Sequence, residues 1–589
     1  MTFTTRPEIV GQFGVATSTH WIASAVAMGI LERGGNAFDA GVAAGFTLQI
    51  VEPHLNGPAG DVPIMVHHAA SGKTTVICGQ GPAPQAATIE HFEALELDLI
   101  PGTGLLAPCV PGAFDAWLLL LRDYGTMPLR AVLEAAITYA HTGIPVLERI
   151  HATIATVEKL FVEEWPSSAA IFLPEGKTPA IGSFLRNPVL GAFYQRIVAE
   201  AETVSGREQQ IEHARKLWSE GFVAETIDAF CRSEPMMDVS GRKHRGALSG
   251  EDMARWSATL EDPLGYDYGE YRVLKPGAWT QGPVALQQFA LLNGFDLHGA
   301  DVTGAEFIHL QVEAAKLAFA DREKFYGDPL FADVPVEQLL SRAYNDERRK
   351  LIGEESSNEL RPGTIDGFGG RIRQGKAQAA GTVGAGEPTT GRLGDVRGDT
   401  CHFDIIDRDG NMVCATPSGG WLQSSPAIPG LGFALGTRAQ MFSLDRAHPN
   451  ALVPGKRPRT TLTPTMALRN GLAYIAWGTP GGDQQDQWNV QFLLRHIHAG
   501  MNLQEAIDAP AWHSEHFPSS FWPRAGHPGK LVVESRLPAE TVTELERRGH
   551  KVVVGGPWSE GRLTAATISN GIVRAAANAR GMQGYAVGR

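Results

Sequence analysis

Gly398-Asp399-Thr400-Cys401-His402-Phe403-Asp404-Ile405-Ile406-Asp407 sets a threonine at the head of an apolar strand, directly after a Gly-rich stretch with no hydrophobic periodicity. A threonine hydroxyl is a poor nucleophile without a base beside it. Cutting the Asp399–Thr400 bond would create that base, because a free α-amino group has a pKa of about 8. The segment reads as the start of a self-processed chain whose new N-terminal threonine attacks an amide. A plain strand-start threonine is the competing reading, and the surrounding sequence decides between them.

Upstream, residues 1–360 carry mixed helical and strand patterns. Asn36 can cap a helix running from Ala37 past Leu48 and stopping before Pro53. Tyr124-Gly125-Thr126-Met127-Pro128 is a turn opening a helix over Leu129 to Thr142, and Phe307 to Phe325 is a long helical pattern. Residues 361–399 are rich in Gly, Ala, Thr and Gln, as suits a flexible, cleavable linker. Downstream the pattern turns to strands. Phe403–Ile406 and Met412–Thr416 flank Asp409-Gly410, and Thr465–Leu468 and Leu472–Trp477 flank Asn470-Gly471, giving two hairpins. Helices resume at Gln487–Ala499 and Ala539–Arg548.

Bulk composition excludes several classes. With 43% apolar and 20% charged residues, and no run long enough to cross a bilayer, the chain reads as globular with no membrane partner. Net charge is −13 with scattered basic residues, which argues against nucleic acid. Five widely spaced cysteines form neither a disulfide framework nor a zinc-ligand pattern, and the histidines lack ligand spacing with carboxylates, so no metal is read. Met1 to His20 lack a basic stretch followed by an apolar run; the expectation is a cytoplasmic protein.

Four segments then match one family in order. They are Thr17-Ser18 through Asn36-Ala37-Phe38-Asp39-Ala40 to Val51-Glu52-Pro53-His54; Tyr124-Gly125-Thr126-Met127-Pro128; and Ala320-Asp321-Arg322 to Gly327-Asp328-Pro329. The fourth runs from Thr400-Cys401-His402-Phe403 through Pro454-Gly455-Lys456-Arg457-Pro458 to Pro480-Gly481-Gly482. Together they resemble the γ-glutamyltranspeptidase family of N-terminal nucleophile hydrolases. The resemblance implies an α+β fold, a four-layer αββα sandwich. In it a large region, 1–399, and a small region, 400–589, form one domain and persist after cleavage as a heterodimer, with or without further oligomerisation.

The resemblance also implies roles. Thr400 matches the nucleophile, while Cys401 is a rival on chemical grounds because a thiol is intrinsically the better nucleophile. Ser418 matches a hydroxyl residue that contacts the nucleophile's amine. Gly481 and Gly482 match the glycine pair whose N–H groups form an oxyanion hole. Thr460 and Thr461 stand where paired serines hold a substrate carboxylate. The family's carboxylate-clamping arginine is absent from Cys78-Gly79-Gln80-Gly81, its acidic pair is absent from Arg438-Ala439-Gln440-Met441, and its asparagine is absent near Gly420-Trp421. Gln80 and Gln440 are the candidate substrate-binding residues at the first two places. Trp421, Met441 and Trp488 are candidates for a more apolar lining. Asp483 and Asp486 read as solvated or helix-capping carboxylates rather than catalytic acids.

Without those charges a free γ-glutamyl zwitterion would be left unpaired. The expected reaction is hydrolysis, or acyl transfer to an amine, of a small-molecule γ-glutamyl or related amide through a Thr400 acyl-enzyme. No cofactor is implied, and specificity is altered. The alternatives are an amidohydrolase or acylase for a small or apolar acyl group, and a non-catalytic paralogue that only binds its ligand.

Overall fold

A computed structural model describes residues 3–372 and 400–589. Two seven-stranded sheets dominate it. Their strands, in chain order, are β1 (Ile9–Gly11), β2 (Gly14–Ser18), β3 (Val62–His68), β4 (Lys73–Gly79), β5 (Thr259–Glu261), β6 (Leu264–Tyr268) and β7 (Tyr271–Lys275). After the segment outside the described residues come β8 (Phe403–Asp407), β9 (Met412–Ala415), β10 (Thr465–Arg469), β11 (Leu472–Gly478), β12 (Thr564–Ser569), β13 (Ile572–Ala577) and β14 (Tyr585–Gly588). One sheet runs β14-β2-β8-β9-β3-β4-β5 and the other β1-β13-β12-β11-β10-β7-β6. Both sheets combine strands from before and after Thr400. In particular β8 pairs antiparallel with β2, Phe403 opposite Ser18, and β9 pairs with β3, Ala415 opposite Ile64.

Side-chain alternation sorts the core into three slabs. Phe403, Ile405, Val413 and Ile64 face the helices α1 (Ala37–Val51) and α2 (Ala113–Tyr124). Ile406, Met412, Cys414, Met65 and Val15 point the other way, against Met466, Ala476, Ala566 and Ala575 of the second sheet. Val273, Ile475, Trp477 and Ala565 of that sheet cover α3 (Gly282–Leu292), α4 (Ala305–Phe325) and α5 (Gln485–His498). The αββα sandwich implied by the family resemblance is the architecture observed.

Local signals behave as elementary chemistry predicts. Asn36 caps α1 in a reciprocal box with Asp39, and the helix ends at Val51, two residues before Pro53. The Asn470-Gly471 turn has positive φ at both residues, 51° and 80°, which suits the twist of β10 and β11. Residues 361–372, the front of the predicted linker, are irregular but tethered. Gly363 N–H donates to Asp321 at 2.6 Å, and Gly370 N–H donates to the Lys324 carbonyl at 2.8 Å. The rest of the linker and the Asp399–Thr400 junction lie outside the described residues. No described helix is long and apolar enough to cross a membrane.

Candidate active site

Thr400 is buried at the mouth of β8, where it makes an isolated antiparallel bridge to Ser418. Its hydroxyl donates to Ser418 Oγ at 3.2 Å, and the following Cys401 N–H donates to the Pro417 carbonyl at 2.9 Å. Ser418 is locked in turn by Asp61: each donates its backbone N–H to the other's carbonyl, at 3.0 and 2.8 Å. Gly419 and Gly420 follow with φ of 73° and 64°. A Cβ on Gly419 would lie 2.5 Å from Asp61 Oδ1, so a larger residue could not bring this turn against Asp61. Two predicted site residues distant in sequence are thus brought into contact by one backbone turn.

Beneath them sits a buried carboxylate. Glu52 Oε2 accepts from the Cys401 thiol at 3.0 Å and from Thr19 Oγ1 at 2.7 Å. Burial, reinforced by the Glu52 charge, pushes the Cys401 thiol well above its ordinary range. A neutral, hydrogen-bonded thiol is a poor nucleophile, which separates Cys401 from Thr400. Arg562 closes the layer: its Nη2 donates to the Thr400 carbonyl at 3.2 Å and its Nη1 lies 3.8 Å from Glu52 Oε1. Glu52 stands within a matching sequence segment, but neither its role here nor that of Arg562 is legible from local pattern.

The Gly481-Gly482 turn leaves β11 and is joined to the nucleophile through Arg562, whose backbone N–H donates to Thr479 Oγ1 at 2.9 Å. Gly481 has φ 132°, and a Cβ there would strike the Trp488 ring at 2.3 Å. Gly482 has φ 52°, and its carbonyl accepts from Gln281 Nε2 at 3.1 Å. Behind the turn the His402 ring occupies the space in which Gly478 would carry a side chain. His402 Nδ1 pairs with Thr416 Oγ1 at 2.9 Å and Nε2 with Asp404 Oδ1 at 3.1 Å, between the two sheets.

Asp483 and Asp486, expected as solvated or capping groups, are instead buried and ion-paired. Asp483 accepts from Arg322 and from Ser520 Oγ, and Asp486 lies 2.7 Å from Lys275 Nζ, both of them fully buried. An ionised carboxylate in the core requires such a cation.

The predicted substrate-binding residues divide. Thr460 Oγ1 reaches Asp61 Oδ2 at 3.5 Å, and Thr461 Oγ1 is buried without a hydrogen-bond partner. Gln80 Nε2 donates to the Gly81 carbonyl at 2.9 Å, a local contact. Gln440 bridges loops: Nε2 donates to the Thr437 carbonyl at 3.1 Å and Oε1 accepts from Trp522 N–H at 3.0 Å. The neighbour of Gln440 in sequence, Arg438, holds Asp61 at 2.9 Å. Trp421 and Met441 meet in a small apolar cluster with Phe521, whereas Trp488, on α5, belongs to the larger core.

Among the described residues, two buried groups have donor atoms close enough to suggest a metal, His309-Glu313-His550 and His402-Asp404-Cys414. Neither donor set fits one. Glu313 is already held by Lys316 at 2.6 Å and Arg361 at 2.9 Å. Both His402 nitrogens are engaged, and burial pushes the Cys414 thiol well above its ordinary range.

Known proteins match over this whole framework. A Bacillus subtilis (strain 168) protein described as "Glutathione hydrolase-like YwrD proenzyme" is 31% identical over 99% of both chains. A solved structure described as "Structure of LmbA2991HD" is 52% identical, with a TM-score of 0.94 over 100% of both chains. The cephalosporin acylase from Bacillus halodurans is 29% identical with a TM-score of 0.82, covering 100% of this chain and 97% of its own. The family model for gamma-glutamyltranspeptidase matches residues 23–588, and the chain belongs to that family.

Proposed function

We propose that this enzyme is a self-processing threonine hydrolase and acyltransferase whose nucleophile is Thr400, acting on an amide through a Thr400 ester. The observation that carries the reading is the 3.2 Å contact between the Thr400 and Ser418 hydroxyls at a buried strand start, beside a thiol that burial keeps neutral. In the first reaction Thr400 Oγ1 attacks the Asp399 carbonyl carbon and displaces its own nitrogen, leaving an ester. That shift frees the Thr400 amine; water then cleaves the ester, releasing the Asp399 carboxylate and regenerating the Thr400 hydroxyl.

The freed amine is the base of the mature site. It takes the Thr400 hydroxyl proton as the oxygen attacks the substrate carbonyl, and returns it to the departing amine. Ser418 orients that amine. The N–H groups of Gly481 and Gly482 receive the tetrahedral oxygen; each such donor is worth about 3 kcal/mol in other hydrolases. Water or an acceptor amine then releases the acyl group. Because each sheet is built from strands of both sides of Thr400, paired to one another, the cut chains stay associated as a heterodimer.

Altered specificity follows from Gln80 and from the Arg438–Asp61 pair, which stand in place of the charges that hold a γ-glutamyl zwitterion. The likeness to a cephalosporin acylase favours, as a second reading, acyl groups other than glutamyl.

Intact mass and N-terminal sequencing test the proposal. Purified protein yields a smaller chain beginning Thr-Cys-His-Phe, and a Thr400→Ala variant does not. An uncut wild-type chain under all maturation conditions, or a chain beginning at Cys401, overturns it.

A further inference from the structure

Arg562 is a buried guanidinium, 3% exposed, that touches the reacting residue itself. Its Nη2 donates to the Thr400 carbonyl at 3.2 Å. Only the C–O, Cα–C and N–Cα bonds separate that oxygen from the Thr400 nitrogen, the atom that cleavage turns into an amine. The guanidinium charge therefore stands close to the future base. Its position is fixed at both ends of the residue. The backbone N–H donates to Thr479 Oγ1 at 2.9 Å, and Nη1 faces Glu52 Oε1 at 3.8 Å. Arg562 and Thr400 both follow the Asp399–Thr400 bond in sequence, so their contact does not cross the cut.

The other titratable and charged groups stand further out or are neutral. Glu52 turns its Oε2 to the Cys401 thiol and Thr19 Oγ1, not to Thr400. Arg149 runs beside Arg562: a Cβ on Gly581 would lie 3.7 Å from Arg562 Cδ and 3.9 Å from Arg149 Cδ. Burial holds the His20 pKa down to about 4 and, with Arg149 and Arg562, holds His54 well below its ordinary range. Both imidazoles are uncharged at neutral pH, and burial keeps the Cys401 thiol neutral. Asp61, across Ser418, is matched by Arg438, and Asp404 is bound by His402 and Thr564 between the sheets. Asp483 and Asp486, past the Gly482 turn, are matched by Arg322 and Lys275.

A nearby cation disfavours the protonated form of an amine and so lowers its pKa. Resting on Thr400 as the nucleophile, we infer that Arg562 is a positioning residue that holds the freed Thr400 amine in place and unprotonated, ready to take the hydroxyl proton. An ordinary α-amine, with a pKa of about 8, is mostly protonated at neutral pH and cannot act as that base. The same reasoning separates the two reactions of Thr400. Self-cleavage starts from an uncharged amide nitrogen, so it does not depend on this effect; turnover does.

Competitive labelling of the self-cut protein with acetic anhydride tests the inference without a substrate, because only the unprotonated amine reacts. Acetylation of the Thr-Cys-His-Phe terminus is read by peptide mass across a pH series. Arg562→Gln is expected to raise the pH of half-maximal labelling by about one unit over wild type. Arg562→Lys, which keeps the charge, should recover most of that rise. A merely structural role would leave the midpoint where it is. An unmoved midpoint in Arg562→Gln therefore overturns the inference. So does an Arg562→Gln chain that folds but does not cut, which would assign the residue to maturation.

Arg562→Gln leaves Glu52 buried without its cation. If that variant does not fold, Glu52→Gln combined with Arg562→Gln removes both charges and carries the same comparison. Its midpoint is also expected above wild type, because the guanidinium is the charge in contact with Thr400; a midpoint equal to wild type overturns the inference. A wild type with no Thr400-initiated chain overturns the hydrolase reading and this inference with it. A cut wild type with unmoved variants overturns the inference alone.

Discussion

The His402 ring fills the space beside Gly478 so closely that a Cβ there would lie 2.3 Å from it. His402 is two residues from the nucleophile, immediately before β8, and Gly478 ends β11 just before the Gly481-Gly482 turn. The contact fixes the spacing between the strand that carries the attacking oxygen and the turn proposed to receive the oxyanion. Gly478→Ala should force His402 off its Thr416 and Asp404 partners. A loss of about 1–3 kcal/mol is expected from overpacking, with slowed self-cleavage. Denaturant unfolding and a processing time course check it; wild-type values in both would show the contact to be slack.

Ser418→Ala removes the hydroxyl that accepts from Thr400 while leaving the Asp61 backbone bridge intact. Processing and turnover should each slow by about 10–100-fold, the range of a lost positioning or proton-transfer contact. Ser418→Thr should recover much of the loss. Gel-resolved cleavage kinetics on the two variants distinguish a hydroxyl role from a packing role.

Cys401 and Thr400 should separate cleanly. Cys401→Ser keeps a donor to Glu52 and should still yield a chain beginning at Thr400, whereas Thr400→Ala should yield none. Iodoacetamide should leave native protein active, because the Cys401 thiol is buried and held neutral. Inactivation that tracks alkylation of Cys401 would return the chemistry to the thiol.

His513 gives the stability an alkaline limit. Burial alone would lower its pKa, but Glu560 and Glu515 more than offset that and raise it to about 9. A histidine raised above its unfolded value stabilises the fold fully below about pH 6.5, and the contribution fades as pH rises through about 9. The change is on the order of 3 kcal/mol. Wild type should therefore lose stability between those limits. In His513→Gln that slope should be absent, as measured by urea midpoints across the range.

Asp486→Asn should behave as a core lesion and not as a loss of a catalytic acid. It leaves Lys275 buried beside a neutral amide, and breaking such a pair costs about 3–5 kcal/mol. Lys275→Met combined with Asp486→Leu should recover most of that stability. Thermal unfolding of the single and double variants gives the comparison.

Much of this was legible along the chain. The Asn36 cap, the Asn470-Gly471 turn and the α4 pattern reproduce within one or two residues, because each depends on neighbours in sequence. The strand after Thr400 was legible for the same reason: Phe403 and Ile405 alternate with Asp404 and Ile406. The Asp483 and Asp486 reading failed because a local pattern shows a carboxylate after a Gly-Gly turn but not the cation opposite. Arg322 and Lys275 come from elements more than 150 residues away.

The sequence by itself determined the nucleophile candidate, the two hairpins that follow it and the family resemblance, all carried by contiguous motifs. Only the tertiary structure decided which side chains surround Thr400. Glu52, Asp61, Arg438 and Arg562 are distant in the chain and converge because the sheets interleave strands from both halves. Their ionisation and pairing depend on burial and on distances of a few ångströms, which no linear spacing encodes.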